Sequence, residues 1–198
     1  MLGALIVLVL VSASVAMRHN NNPPVSLSNE HFSYNYISML LTLTSPAFEN
    51  GGSISPEYTC DGENKIPPLQ IGGVPEGTEA IVLLIDDSDI PVEIKLQRGI
   101  EKFDHLILYN ITPETTSIDD VRRAGIEGLN SAGNVGYTGP CPPTQYEPST
   151  HRYLFKLYAL SETLSFAEVP TGVQIEASMT NKILAETVLM GTYSRVVQ

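Results

Sequence analysis

The chain has 198 residues, of which 42% are hydrophobic and 17% charged, and its formal net charge is -11. That length suits one domain with a sizeable core, and the composition excludes a disordered chain. The acidic balance excludes general nucleic-acid binding and charge-driven adhesion to anionic membranes, but not a local small-anion site where hydrogen-bond donors converge.

Residues 1–16 carry no charged side chain. Leu2 to Val11 is an apolar run, and Ser14 and Ala16 fill the small positions of a small-x-small cleavage pattern, so the segment reads as a signal peptide or short anchor. It falls short of the ~20 apolar residues of a spanning helix. An extracytoplasmic protein, secreted or anchored, is expected; a start at Met39 would make it cytoplasmic. Residues 17–38 are polar and Asn/Ser-rich and read as a flexible tether, with His19 and His31 solvated. The folded domain is expected over 39–198.

The domain reads mostly as strands. Leu40 to Leu43 and Leu69 to Ile71 are short candidates, separated by turn-forming Gly, Asn and Pro. Ala80 to Ile85 is an unbroken apolar run ending at Asp86, as in a strand covered on both faces. His105 to Ile111 reads the same way. Residues 112–138 hold no long strand, and a connection of that length usually serves a site. In His151 to Leu160, alternation puts His151, Tyr153, Phe155 and Leu157 on one face and Arg152, Leu154, Lys156 and Tyr158 on the other. Thr171 to Glu186 fits a helix, with Ile175, Met179 and Ile183 at four-residue spacing, ended by Gly191. A final strand is expected from Thr192 to Val197. The pattern as a whole predicts a mainly β fold, an antiparallel β-sandwich with one or two peripheral helices.

Polar residues collect where these strands meet loops. Asp86-Asp87-Ser88-Asp89 ends the first apolar run. On pattern alone Asp86 and Asp89 read as solvated turn residues, whereas Asp87 shares the parity of Leu83 and Ile85 and points inward. His105 reads first as a core histidine bonded to a backbone carbonyl. Its functional alternative is a donor whose other nitrogen is held by a carboxylate such as Asp87. His151 has the same two readings, and Tyr153 can offer its hydroxyl at a cavity wall. Two imidazole donors, a phenol and loop N–H groups suit a phosphoryl-type anion, and Gly139 would let the backbone approach it closely. If protonated imidazole contributes, binding weakens as pH rises through about 6.5. Cys60 and Cys141 are either one disulfide or two separate thiols. No cofactor or metal is expected, because two lone cysteines and widely spaced histidines match no compact ligand motif. Nor is an enzyme: Ser88 lacks a G-x-S-x-G context, and a disulfide would remove Cys141 as nucleophile.

Several of these motifs together resemble the phosphatidylethanolamine-binding proteins in their bacterial and archaeal branch. They are Thr59-Cys60-Asp61-Gly62, Asp86-Asp87-Ser88-Asp89-Ile90-Pro91, Gly136-Tyr137-Thr138-Gly139-Pro140-Cys141-Pro142-Pro143 and His151-Arg152-Tyr153-Leu154-Phe155. The resemblance covers about residues 40 to 195. It implies a β-sandwich with a small anion pocket lined by Asp87, Asp89, His105, Gly139, Pro140, His151 and Tyr153. It also implies binding of phosphate or a phosphorylated head group, inhibition of a protease or kinase by some members, and frequent homodimers. The chain departs from the family pattern at Ser88 in place of a proline, at Leu106 in place of a tryptophan, and in the link 144–150. The leading expectation is non-enzymatic binding of a small phosphoryl-type anion. The alternative is an inhibitor acting through a surface loop such as 144–150, with the pocket vestigial.

Overall fold

The computed structural model describes residues 40–195. The expected leader 1–16, the expected tether 17–38 with His19 and His31, and Val196 and Val197 of the expected last strand lie outside those residues. In chain order the elements are β1 (Thr42–Thr44), β2 (Leu69–Gly72), β3 (Ala80–Asp87), α1 (Val92–Arg98), β4 (Phe103–Ile111), β5 (Ser117–Ile118), α2 (Val121–Ala124), β6 (Ile126–Glu127), β7 (Thr150–Leu160), α3 (Gly172–Ser178) and β8 (Ile183–Ser194). Strands β1, β2 and β5 form a three-stranded sheet, and a five-stranded sheet runs in the order β6-β4-β3-β7-β8. All the named pairings are antiparallel. The fold is therefore mainly β and two-sheeted, with three short α-helices and one 3-10 turn (Pro56–Tyr58) among the described residues.

Strand β3 is buried at every position because both faces are covered. Ile81, Leu83 and Ile85 pack with Leu43, Leu69, Ile71 and Ile118 of the smaller sheet. Val82 and Leu84 face the other way, onto Ile175 and Met179 at α3 and Leu164. The same two-sidedness fixes the fate of the carboxylates that follow. Asp87 continues the parity of Leu83 and Ile85 into the space between the sheets; Asp86 continues that of Leu84 onto the α3 side. Strand β7 alternates as expected, with His151, Tyr153, Phe155 and Leu157 buried. Full burial of a side chain such as Phe155, which is 0% exposed, contributes about 1.5–3 kcal/mol.

The expected helix over 171–186 is two elements. Helix α3 starts at Thr171, whose N–H donates to the Gln174 side chain at 2.8 Å, a capping box. It stops after one buried stripe, Ile175 and Met179. Asn181 then takes a left-handed φ of 63°, and the chain reverses into β8, which pairs along the whole of β7. The Ile183 side chain thus belongs to a strand and is half exposed: hairpin pairing of a β-branched segment outweighs the four-residue spacing. Gly191 does not end an element. It lies within β8, where a Cβ would come within 2.6 Å of the Ile54 side chain.

Candidate functional site

Strands β3, β4 and β7 are neighbours, so the first residues of β4 and β7 meet the last residues of β3 at one end of the large sheet. A cavity of about 210 Å³ opens there, bounded by Asp87, His105, Gly139, His151 and Tyr153 among others. This is below the ~300–1,000 Å³ typical of sites for drug-sized molecules, so it suits a small ligand.

Asp87 holds His151. Its Oδ2 lies 2.6 Å from His151 Nδ1, and its Oδ1 accepts from the Asp89 N–H at 2.7 Å. With both carboxylate oxygens engaged, Nδ1 carries the donated proton and Nε2 is left toward the cavity. His151 and Tyr153 are each 1% exposed, yet His151 Nε2 and the Tyr153 hydroxyl have no hydrogen-bond partner in the protein. Burial of unpaired polar atoms costs about 1–3 kcal/mol each, so they mark a place where a ligand group would be held. Burial pushes the Tyr153 phenol up, which keeps its O–H as a donor.

His105 is oriented differently from the Asp87-bound donor considered above. Its Nδ1 lies 2.5 Å from the Thr138 carbonyl, which can only accept, and the Thr138 N–H donates back to the His105 carbonyl at 2.9 Å. This is the core-histidine arrangement, and the partner of Asp87 is His151 instead. Burial lowers the His105 pKa, against the opposing Thr138 bond and the Asp87 and Asp86 charges. The ring is therefore kept neutral, with Nε2 as an acceptor. The His105 ring also braces Tyr153 edge-on, with centroids 5.2 Å apart.

The wall opposite is the loop 136–143. Gly139 is buried and lines the cavity, and its backbone also approaches the protein closely: a Cβ would lie 2.6 Å from Asn64 Oδ1 and 2.7 Å from the Tyr58 carbonyl. Its N–H already donates to Asn64 Oδ1 at 2.8 Å. Cys60 and Cys141 form a disulfide with Cα atoms 5.4 Å apart, and the Cys60 N–H donates to the Pro140 carbonyl at 3.1 Å. The bridge pins this wall to the loop around Asn64 and removes Cys141 as a thiolate.

Two expected site residues lie outside the cavity. Pro140 is buried in the wall without lining it. Asp89 turns away and takes Arg152 through Nε at 2.8 Å and Nη2 at 2.6 Å; the guanidinium holds its carboxyl below the usual carboxylate range. Asp86 is no solvated turn residue. It is 0% exposed and its Oδ2 accepts from Lys156 at 2.7 Å and Lys102 at 3.0 Å. Lys102 also reaches Glu176 of α3 at 2.6 Å. Burial opposes its ammonium, but Glu176, Asp86 and Asp104 outweigh that and push its pKa up. This cluster fastens α3 to the outer face of the sheet.

Several lining residues were not among the expected site residues. Ile94 and Arg98 of α1, with Ile90, Phe103, Pro142 and Pro143, line the cavity. Val92-Glu93-Ile94-Lys95-Leu96 alternates with period two and hides the helix. The usable signals were Pro91 before it and Gly99 after it, the latter in a left-handed conformation with φ 65°. Among the described residues no group of three or more His, Cys, Asp or Glu side chains is placed to hold a metal ion.

The fold and cavity define a two-sheet β protein with a small, mostly apolar pocket holding a few polar groups at one sheet end. A sequence profile of the phosphatidylethanolamine-binding protein family matches residues 44–194. A UPF0098 protein of Methanothermobacter thermautotrophicus is 35% identical over 162 residues, spanning 78% of this chain and 99% of the relative. One from Chlamydia trachomatis is 36% identical over 156 residues, spanning 78% and 99%. The crystal structure of a phosphatidylethanolamine-binding protein homologue from Chlamydia trachomatis is similar with a TM-score of 0.72 at 36% identity, covering 80% of this chain and 100% of that one. Escherichia coli YbcL shares the fold, with a TM-score of 0.68 at 22% identity and coverage of 79% and 99%. The chain belongs to the phosphatidylethanolamine-binding protein family, and its relatives include bacterial and archaeal proteins.

Proposed function

We propose that the protein binds a small phosphoryl-type anion in this pocket without turning it over. One observation carries the reading: His151 Nε2 and the Tyr153 hydroxyl, both deeply buried, converge on the cavity with no protein partner. Tyr153 donates O–H, and His151 donates from Nε2 whenever its ring is protonated, since Nδ1 already points its proton at Asp87. Charge-assisted bonds of this kind suit tetrahedral oxyanions. His105 Nε2 complements them by accepting from a ligand hydroxyl or a protonated phosphoryl oxygen. Support for binding without turnover comes from the nucleophiles: the Cys141 sulfur is committed to the disulfide, and Ser88 hydrogen-bonds no histidine among the described residues. Calorimetric titration with inorganic phosphate tests the reading. Saturable binding is expected in the wild type and lost in a folded His151→Ala variant; equal binding by both would overturn it.

A second reading, inhibition of a protease or kinase through the link 144–150, draws on that loop's exposure at Thr144, Gln145, Glu147, Pro148 and Ser149. It predicts inhibition that survives His151→Ala and disappears when the loop is replaced.

A further inference from the structure

The disulfide joins two chain segments that are fastened very unequally. On the Cys60 side the loop is held without the bridge. Thr59 Oγ1 donates to the Pro56 carbonyl at 2.9 Å, and the Asp61 carboxylate accepts from the Tyr193 hydroxyl and from Arg195 Nη2, each at 2.7 Å. On the Cys141 side the backbone is fixed as far as Pro140, whose carbonyl accepts from the Cys60 N–H. Beyond it, among the described residues, segment 141–149 hydrogen-bonds only within itself: the Tyr146 N–H donates to the Pro143 carbonyl at 3.3 Å and the Ser149 N–H to the Glu147 carboxylate at 2.9 Å. Its next attachment is Thr150, where β7 pairs with β8. Cys141, Pro142 and Pro143 of this segment line the cavity. Pro142 is buried, whereas Cys60 and Cys141 are both exposed. The part of the cavity wall that Pro142 and Pro143 form is thus held by packing and by one bridge that lies open to solvent.

We infer that Cys60–Cys141 is a thiol–disulfide exchange site for a dithiol reductant, and that its reduction releases residues 141–149 and uncovers the cavity. One thiolate of the reductant attacks a bridge sulfur, forming a mixed disulfide and expelling the other sulfur as a thiolate. The reductant's second thiol then displaces the mixed disulfide. The bridge gains two electrons and two protons, and the reductant leaves as its own disulfide. Cys60 stays in place because Asp61 anchors its loop, while Cys141 moves off with Pro142 and Pro143. The inference rests on how the wall is fastened and not on which ligand the cavity takes.

The test treats the purified full-length protein, bridge intact, with dithiothreitol under native conditions. Alkylation by iodoacetamide with mass analysis counts the freed thiols, and circular dichroism follows the fold. Chymotryptic cleavage of the Tyr146–Glu147 bond reports release of the segment, because cleavage requires local opening of the chain. Diethyl pyrocarbonate, which acylates His151 at its unpartnered Nε2, reports opening of the cavity. Both thiols should be freed with the dichroism unchanged, and cleavage and acylation should each quicken several-fold and return to their starting rates on reoxidation. The variant Cys60→Ser with Cys141→Ser should match the reduced protein in both rates. A bridge that resists dithiothreitol until the protein unfolds, reduction that abolishes the β signal, or either rate unchanged in the reduced protein overturns the inference and leaves the anion-binding reading untouched.

Discussion

Replacement of Asp87 separates a carboxylate that orients His151 from one that merely fills space. In the native pocket Asp87 accepts two hydrogen bonds, from His151 Nδ1 at 2.6 Å and from the Asp89 N–H at 2.7 Å. Asp87→Ala removes both acceptors. The imidazole N–H is fully buried and loses the upper part of the ~1–3 kcal/mol charged to an unsatisfied buried group; the Asp89 N–H, nearer to solvent, loses less. Part of this is returned because a carboxylate is no longer buried. The expected net loss is about 3 kcal/mol, or a Tm drop of roughly 6–12 °C for a domain of this size. Asp87→Asn behaves differently. Its amide oxygen can keep the Asp89 N–H, and its NH₂ can donate to His151 Nδ1, provided the ring moves its proton to Nε2. A neutral bond then replaces a charge-assisted one, at about 1 kcal/mol and 2–4 °C. Thermal unfolding measures the two losses, and ¹⁵N spectra of histidine-labelled protein read the tautomer. Equal losses in the two variants, or an unchanged His151 tautomer in Asp87→Asn, would refute the orienting role.

Other consequences can be measured separately. The folded-state pKa of His105 is depressed, so its ring contributes no destabilisation above the unfolded value of about 6.5; below that the unfolded state binds the extra proton, and stability falls by up to about 1.4 kcal/mol per pH unit until the folded pKa is reached. Denaturant titrations at pH 7.5 and 5.5 should show this loss, and His105→Gln should flatten it; a slope unchanged in His105→Gln would contradict the assignment. Cys60→Ser with Cys141→Ser opens a loop spanning 81 positions of sequence, so a loss of up to about 4–5 kcal/mol is expected in chemical denaturation. Asp86→Asn weakens the acceptor of two ammonium groups at a site that is 0% exposed; because both lysines retain some solvent, a loss of about 2–4 kcal/mol is expected, without change in anion affinity. Gly191→Ala forces a methyl against Ile54 and Phe48 and should cost about 1–3 kcal/mol by overpacking.

Parts of the fold and site were legible in the sequence because they depend on local period. The unbroken run of β3, the alternation of β7 and the parity of Asp87 with Leu83 and Ile85 follow from side-chain geometry within one strand. The pairing of Leu83 with Leu157 and Ile85 with Phe155 then puts Asp87, His151 and Tyr153 on the same side of one sheet. What escaped depends on contacts distant in sequence. His105 could not be separated from an Asp87 partner by pattern, because its acceptor, Thr138, arrives from a loop 33 residues away. Asp86 read as a turn residue because Lys102, Lys156 and Glu176 come from three other elements. Gly139 carried a demand for close approach, but not that Asn64 and Tyr58, distant in sequence, also impose it. The α3–β8 boundary was lost because Ile175, Met179 and Ile183 keep helical spacing across a turn that only pairing with β7 explains. The disulfide needed a distance, and sequence supplies none.

In the proposed complex His151 Nε2 is the nitrogen that meets the anion. Titrating inorganic phosphate into histidine-labelled protein, observed by ¹⁵N spectroscopy, tests this most directly. A saturable change at His151 Nε2, with little change at its Nδ1 and weakened in Tyr153→Phe, is the predicted result. Saturable phosphate binding that leaves the His151 resonances unmoved would contradict it.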